Sequence, residues 1–157
     1  MGQEIKFLFK DIQIASKQMF APSAHHVASS KYVFNIKVET KVLAEDKIVL
    51  IFVYVTISEQ SSMSEASKLT MICVFELPEY ENHILLQEDG SYFVPPNLDE
   101  LLRTVSVSTA RGILYSELRG TYLSNQIMPV VYLKDFKAEK DSSTTQDEPM
   151  KKIGDVE

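Results

Sequence analysis

The chain has 157 residues and a formal net charge of −6 at pH 7, with 45% hydrophobic and 24% charged residues. These values predict a single globular domain with a modest core. They argue against a nucleic-acid phosphate backbone as the partner, because its binding requires clustered lysines and arginines.

Two segments near the N-terminus show the period-two alternation that is typical of β-strands. In the first, apolar residues alternate from Ile5 to Phe9, and the apolar phase then shifts to Ile12 and Ile14. A phase shift inside one extended run predicts either a β-bulge or a long strand whose burial changes along its length. The second segment, residues 32–42, has apolar side chains on one face and charged ones on the other, which predicts a strand exposed to water on one side.

Two further segments are predicted strands with less polar faces. Residues 48–57 are apolar on both faces and rich in β-branched side chains, which predicts a strand covered on both sides. Asp46-Lys47 before it forms a short connection, so the second and third strands are a predicted hairpin. Residues 69–77 form the fourth strand after a polar loop, residues 58–68. Short sequential connections favour an antiparallel meander.

A long helix is predicted over residues 97–119. Asn97 is a good N-cap after two prolines, and Asp99 and Glu100 place negative charge in the first turn, where the helix dipole favours it. Gly120 is the predicted terminator. The chain from residue 121 to 132 is apolar but irregular. We therefore predict a folded domain over residues 1–137 and a disordered polar tail over residues 138–157, since the tail has little apolar surface to bury.

No catalytic or metal-binding pattern is recognisable. His25 and His26 are adjacent, so their side chains diverge on an extended backbone and do not readily share a metal, and no histidine or cysteine stands at ligand spacing from them or from His83. Exposed loop positions are expected for the three histidines. Cys73 lies in an apolar run, which predicts a buried, inert thiol. We predict no enzyme activity, no metal and no cofactor.

The longest apolar run, residues 48–55, is too short to span a bilayer. The first six residues lack the apolar stretch of a secretory signal peptide. The expected location is cytoplasmic.

The order of these elements, and several motifs placed on them, resemble the SecB-like protein-export chaperones. The resemblance covers residues 5–136. It rests on short matches to the family's Lys-Asp-Ile, Ala-Arg, Arg-Gly-Thr-Phe and Ala-Pro-Val-Asn-Phe sequences. The matching residues are Lys10-Asp11-Ile12, Ala110-Arg111, Arg119-Gly120-Thr121-Tyr122, and Met128-Pro129-Val130 continuing to Phe136. The predicted fold is therefore α+β, a four-stranded antiparallel sheet with the long helix packed on one face.

The resemblance implies an ATP-independent holdase that binds non-native polypeptides in apolar grooves and keeps preproteins competent for export. It also implies a homotetramer, built as a dimer of dimers, that passes its clients to the SecA translocation motor, with Asp11 as a motor contact. A groove for many clients needs adaptable apolar and aromatic side chains on irregular backbone. The residues expected to bind clients are Met19, Phe20, Val27, Tyr32, Tyr122, Leu123, Ile127, Met128 and Tyr132.

Two other functions stay open from the sequence. SecB-like chaperones also include proteins that guard an antitoxin against aggregation, independently of export. The same layout of sheet and helix would also serve a dedicated interaction module that binds one defined partner. A chaperone suppresses the aggregation of several unrelated unfolded proteins, whereas a dedicated module protects only one.

Overall fold

In the computed structural model, which describes residues 4–131, one long helix packs on one face of a four-stranded antiparallel sheet. This confirms the predicted α+β fold. The proposed tail and Tyr132 lie outside the described residues. The elements in chain order are β1 (Leu8–Met19), β2 (Tyr32–Leu43), β3 (Ile48–Glu59), β4 (Glu65–Glu76), α1 (Tyr80–His83), β5 (Leu85–Leu86), β6 (Tyr92–Phe93) and α2 (Pro96–Glu117).

The strand order across the sheet is β1-β4-β3-β2. Consecutive hairpins join β2, β3 and β4 as predicted, but β1 lies beside β4, so a simple meander is wrong for the first strand. The sheet is a Greek key, in which the connection over residues 20–31 carries the chain from one edge to the other. Three strand spacings of about 4.8 Å make roughly 14 Å, which a connection of this length spans easily. The free edges of the sheet are therefore β1 and β2.

The predicted bulge in the first strand is confirmed. The register of β1 on β4 shifts twice, between Phe9 and Asp11 and between Ile14 and Ser16. All of β1 is exposed, and Ile12 and Ile14 keep 43% and 47% of their surface in contact with solvent. An apolar strip on this edge is thus left uncovered by the rest of the chain.

The core lies between α2 and one face of the sheet. Val49, Ile51 and Val53 alternate along β3 with no solvent exposure, and Leu98 and Leu102 of α2 are equally buried in the same cluster. Full burial of each such side chain stabilises the fold by about 1.5–3 kcal/mol. The intervening residues of β3 are only half-buried. The expectation that β3 is covered on both sides is therefore wrong for the described chain, because α2 covers one face only.

The boundaries of the long helix differ from those predicted. α2 begins at Pro96, and Pro95 occupies the cap position without a side-chain hydrogen bond, so the prediction of Asn97 as N-cap is wrong. Proline is well suited to the first helical position, because its φ is preset and its missing N–H would have no helical partner there. The helix ends at Glu117, and Gly120 follows at φ +77° as the chain turns away, which fits its predicted role as terminator.

The segment between β4 and α2 contains structure that was not predicted. The short helix α1 comes first, and the hairpin β5–β6 follows it, paired from Leu85 to Phe93 and from Leu86 to Tyr92. Gly90, at φ +82°, closes the hairpin turn, a conformation that favours glycine. His83, expected in an exposed loop, is buried at the end of α1.

Candidate functional site

Three aromatic rings from separate parts of the chain meet at one end of the sheet. His26 lies in the connection over residues 20–31, Tyr32 begins β2, and Tyr122 follows α2. The His26 ring is 5.2 Å from that of Tyr122 and approaches it edge-on, and the rings of Tyr32 and Tyr122 are 6.3 Å apart. His26 Nδ1 and the Tyr32 hydroxyl are 2.5 Å apart. We call His26, Tyr32 and Tyr122 the aromatic cluster.

Backbone hydrogen bonds hold the connection against the sheet and explain why these rings meet. The Phe20 amide donates to the Ala66 carbonyl at 2.9 Å, and the Gln60 amide donates to the Lys31 carbonyl at 2.8 Å. The Tyr122 hydroxyl donates to the Phe20 carbonyl at 2.8 Å. The segment after α2 is thereby tied to the connection between β1 and β2, although about 100 residues separate them in sequence.

A buried carboxylate supports the same end of the sheet. Glu59, at the end of β3, is 3% exposed and accepts hydrogen bonds from the Ser23 hydroxyl at 2.6 Å and the Ser61 hydroxyl at 2.7 Å. These two bonds lower the pKa of Glu59 below its ordinary value, because they favour the charged carboxylate. Burial, and secondarily the Glu59 charge, raise the pKa of Tyr32, so its hydroxyl stays protonated at neutral pH. Glu59 therefore anchors the connection through Ser23.

Replacing Glu59 by Gln should lower the free energy of unfolding relative to the wild type. This deficit should be smaller in acid than at neutral pH. A carboxyl whose folded-state pKa is lowered contributes stability above its unfolded pKa of about 4.3, and that contribution is lost as the pH falls through the folded-state pKa. Urea midpoints of the wild type and variant at about pH 7 and about pH 3 measure the difference. Glu45→Gln, at an exposed position, is the matched control. A deficit that stays constant with pH would contradict this role for Glu59.

Four of the nine expected client-binding residues are exposed to solvent. Met19, Phe20 and Val27 are 43%, 37% and 57% exposed, and Ile127 is 63% exposed. Tyr32 and Tyr122 are half-buried within the aromatic cluster. The first connection and the segment after α2 thus present apolar side chains to solvent at the end of the sheet where the cluster lies.

Leu123 and Met128 are placed differently from the prediction. They are 0% and 3% exposed and belong to the hydrophobic core. A tight turn after α2 brings Leu123 inward: the Thr121 hydroxyl donates to the Leu118 carbonyl at 2.7 Å and accepts from the Leu123 amide at 3.1 Å. The expectation that these two side chains face a groove is therefore corrected, because the chain itself covers them.

Asp11, the expected motor contact, is exposed on the bulged edge strand β1. One carboxylate oxygen accepts from the amide of Ile12 at 2.9 Å, and the other accepts from the Gln13 side-chain amide at 3.0 Å. Asp11 thus holds the local backbone of β1 while remaining open to solvent.

Arg103 was not recognised in the sequence as a key residue. Its side chain is largely buried on α2, and its Nε lies 2.9 Å from Asp99 Oδ2 in an ion pair one turn apart. It also donates to the Thr40 hydroxyl at 3.1 Å and the Val38 carbonyl at 3.2 Å. Arg103 therefore fastens α2 to β2 through a small polar network. The i, i+4 spacing of Asp99 and Arg103 was the available signal.

A second apolar region lies beside this network, at the other end of β2. A cleft of about 1050 Å³ is bounded by β2, by β6 and by the first turns of α2. Val42 and Phe52 contribute apolar surface from the sheet, and Tyr92 and Phe93 contribute it from the hairpin. The described residues contain no group of three or more potential metal ligands and no helix long and apolar enough to cross a membrane.

The strand topology and the placement of the long helix are similar to those of a SecB-like chaperone. One such solved structure is the Mycobacterium tuberculosis Rv1957 SecB-like chaperone in complex with a ChAD peptide from the Rv1956 HigA1 antitoxin. It matches over 80% of this chain and 90% of its own, with a TM-score of 0.57 and 11% sequence identity. At this identity the likeness concerns the fold. No protein-family model matches the sequence, and no curated protein matches it.

Proposed function

We propose that this protein is an ATP-independent holdase chaperone that binds non-native polypeptides, without enzyme activity or a cofactor. The observation that carries the proposal is that Met19, Phe20, Val27 and Ile127 are exposed apolar side chains, at the end of β1 and on the two irregular segments that contribute His26 and Tyr122 to the aromatic cluster. These side chains lie at the end of β1 and on irregular connections, which adjust to different client sequences more readily than strands do. The likeness in fold to a SecB-like chaperone supports the same function.

The physical basis of binding would be the burial of apolar surface. An unfolded polypeptide exposes aromatic and aliphatic side chains, and each Å² of apolar surface removed from water contributes about 25 cal/mol before the costs of ordering. Methionine and aromatic side chains accommodate varied shapes, because they offer large contact areas with little demand for directional hydrogen bonds. A site of this kind selects clients by the amount of apolar surface that they expose.

Two client classes follow from the proposal. Export-competent preproteins, transferred to the SecA motor through Asp11, are the clients of the export function. A single antitoxin is the client of the export-independent function, and the peptide in the Mycobacterium tuberculosis complex favours this second class. A cytoplasmic location suits either class.

We further propose that the chain assembles into a homotetramer, a dimer of dimers. The support is the apolar strip of the edge strand β1, where Phe9, Ile12 and Ile14 remain 38–47% exposed in a single chain. Strips of this size on an edge strand are usually paired or covered. Sedimentation equilibrium measures the assembly, and a monomer at tens of micromolar would contradict it.

The function is tested by changing exposed residues of the proposed client surface. Phe20→Ser combined with Ile127→Ser should weaken the suppression of aggregation of two unrelated, chemically denatured proteins by about tenfold in the chaperone concentration required. The urea midpoint should change little, because surface substitutions usually alter stability by less than about 0.5 kcal/mol. Light scattering and urea unfolding on the same preparations provide both measurements.

The control variant is Leu85→Ser, an equally apolar and exposed position on the hairpin β5–β6, away from the aromatic cluster. It should suppress aggregation like the wild type. Protection of only one of several clients would favour the dedicated interaction module, and protection of none would overturn the holdase function.

A further inference from the structure

The sheet face opposite α2 is apolar at its centre. Leu50, Phe52 and Tyr54 of β3 point to this side, because they alternate along the strand with the buried core residues. Ile72 and Val74 of β4 pair with Phe52 and Leu50 and point the same way. Val74 is 7% exposed and the other four are half-buried, although α2 covers only the opposite face. We call this side of the sheet the outer face.

Opposite charges stand at the two edges of the outer face. The ladders place Asp11 of β1 and Lys41 of β2 in one row across the sheet, because Asp11 pairs with Val74. Val74 pairs with Leu50, and Leu50 pairs with Lys41. Asp11 and Lys41 are exposed, and neither forms an ion pair within residues 4–131. The row is therefore negative at one edge, apolar in the middle and positive at the other edge.

The other charged side chains that the four strands carry on or beside this face have partners in the same chain. They form the ion pairs Lys37–Glu39 at 2.7 Å, Lys68–Glu65 at 2.8 Å and Lys10–Glu76 at 3.1 Å. Each pair is locally neutral, so these residues give the face no net charge that selects a partner. Asp11 and Lys41 are left as the charges that decide what fits the outer face.

The order of charge across the row is self-complementary. A twofold axis that runs along the strands brings the β1 edge of one copy over the β2 edge of a second copy, so Asp11 of each copy faces Lys41 of the other. The same axis lays Val74 of each copy on Leu50 of the other, because these two residues hold the middle of the row. The strands of the two sheets stay roughly aligned, as they are in β-sandwiches.

The outer face also has the area that a stable dimer needs. Each of its four strands has twelve residues. At about 4.8 Å between strands and about 3.3 Å per residue, the face measures roughly 760 Å². Specific interfaces bury about 800 Å² on each partner. A second copy can therefore cover the face almost completely.

We propose that the outer face binds a second copy of this chain face to face, with Asp11 and Lys41 of the two copies paired at its edges. The occupant is a second copy because the two unpaired charges of the row are each other's complement. The apolar strip of β1 is a separate surface, since Phe9, Ile12 and Ile14 pair with buried core residues of β4 and lie on the α2 side. A chain with two different twofold interfaces can form a closed tetramer, a dimer of dimers.

The interface does not depend on the proposed function, because it uses none of the residues expected to bind clients. It does bear on the two client classes. An Asp11 carboxylate that is paired inside the interface is not free to contact the SecA motor. The assembly therefore fits the export-independent class.

The experiment reverses the two charges separately and together in the full chain. Asp11→Lys and Lys41→Asp should each raise the dissociation constant of the interface by at least about tenfold at low salt, because each change places like charges in contact twice. The double variant, Asp11→Lys with Lys41→Asp, restores opposite charges and should associate like the wild type. Sedimentation velocity over a range of protein concentrations measures the dissociation constants, and circular dichroism checks that the variants fold.

Glu100→Lys is the matched control, since it makes the same change of charge as Asp11→Lys at an exposed position of α2, on the other side of the sheet. It should assemble like the wild type. Ile12→Ser with Ile14→Ser should leave the outer-face interface intact and weaken only an association through the apolar strip of β1.

Four results would overturn the inference. Single reversals that assemble like the wild type would show that the two charges do not meet. Loss of assembly in both single variants without recovery in the double variant would show that they meet other groups. A loss in the control equal to that in Asp11→Lys would show that net charge alone controls assembly. A wild type that is monomeric at tens of micromolar would show that a second copy does not cover the outer face.

Discussion

Replacing Leu123 by Ser is expected to lower the free energy of unfolding by about 4 kcal/mol. Its side chain has no solvent exposure and packs in the core cluster beneath the turn after α2. Truncating a buried leucine leaves a cavity, and the serine hydroxyl adds an unsatisfied polar group, so both costs apply. Urea unfolding at equilibrium measures the change.

Ile127→Ser is the matched control for this prediction, since it lies four residues further along the same segment but is 63% exposed. Its free energy of unfolding should fall by less than about 0.5 kcal/mol. Because the two residues lie in the same segment and differ in burial, a difference in stability between the two variants reports the effect of burial. If Leu123→Ser is as stable as Ile127→Ser, the segment after α2 is not packed on the core and both side chains are available to clients.

Replacing Arg103 by Ala is expected to destabilise the fold by about 3 kcal/mol. The change removes the ion pair with Asp99 and the hydrogen bonds to Thr40 and to the Val38 carbonyl. Loss of one partner from a largely buried pair is costly, because the remaining charge keeps its desolvation penalty without its compensation. Circular dichroism during urea unfolding reports the loss.

A double-mutant cycle separates the interaction between Asp99 and Arg103 from the packing of the aliphatic part of the Arg103 side chain. Asp99→Ala in the Arg103→Ala background should cost less than it does in the wild type, with a coupling of at least about 1 kcal/mol. Additive losses would show that the two side chains act independently.

The sheet and the long helix were predictable from residue patterns, because burial on one face imposes a period of two on β2 and a period of 3.6 on α2. The first bulge of β1 was also visible, as a shift of apolar phase between Phe9 and Ile12. The strand that pairs with β1 was not predictable, since alternation reports which face of a strand is buried and carries no information on which strand lies beside it.

The hairpin β5–β6 and the position of Leu123 could not be read from periodicity. Two-residue strands are too short to show alternation, and Gly90 alone does not distinguish a hairpin from a loop. For Leu123 and Met128, apolar side chains on irregular backbone fit a core and an exposed surface equally well. Their burial depends on the turn at Thr121, which is a tertiary arrangement. Ile127 has the same local character and faces solvent.

The two bulges of β1 limit how copies of this chain can line up. A long, regular edge strand is a template for repeated strand addition, and flat, in-register stacking of strands builds fibrils. The ladder of β1 is interrupted twice within twelve residues, and Lys10, Asp11 and Lys17 place charged side chains along it. A bulged, charged edge of this kind favours a closed assembly of few copies over open-ended growth. Copies of this chain can therefore associate through the apolar side chains of this edge without forming the open-ended aggregates that regular edge strands promote.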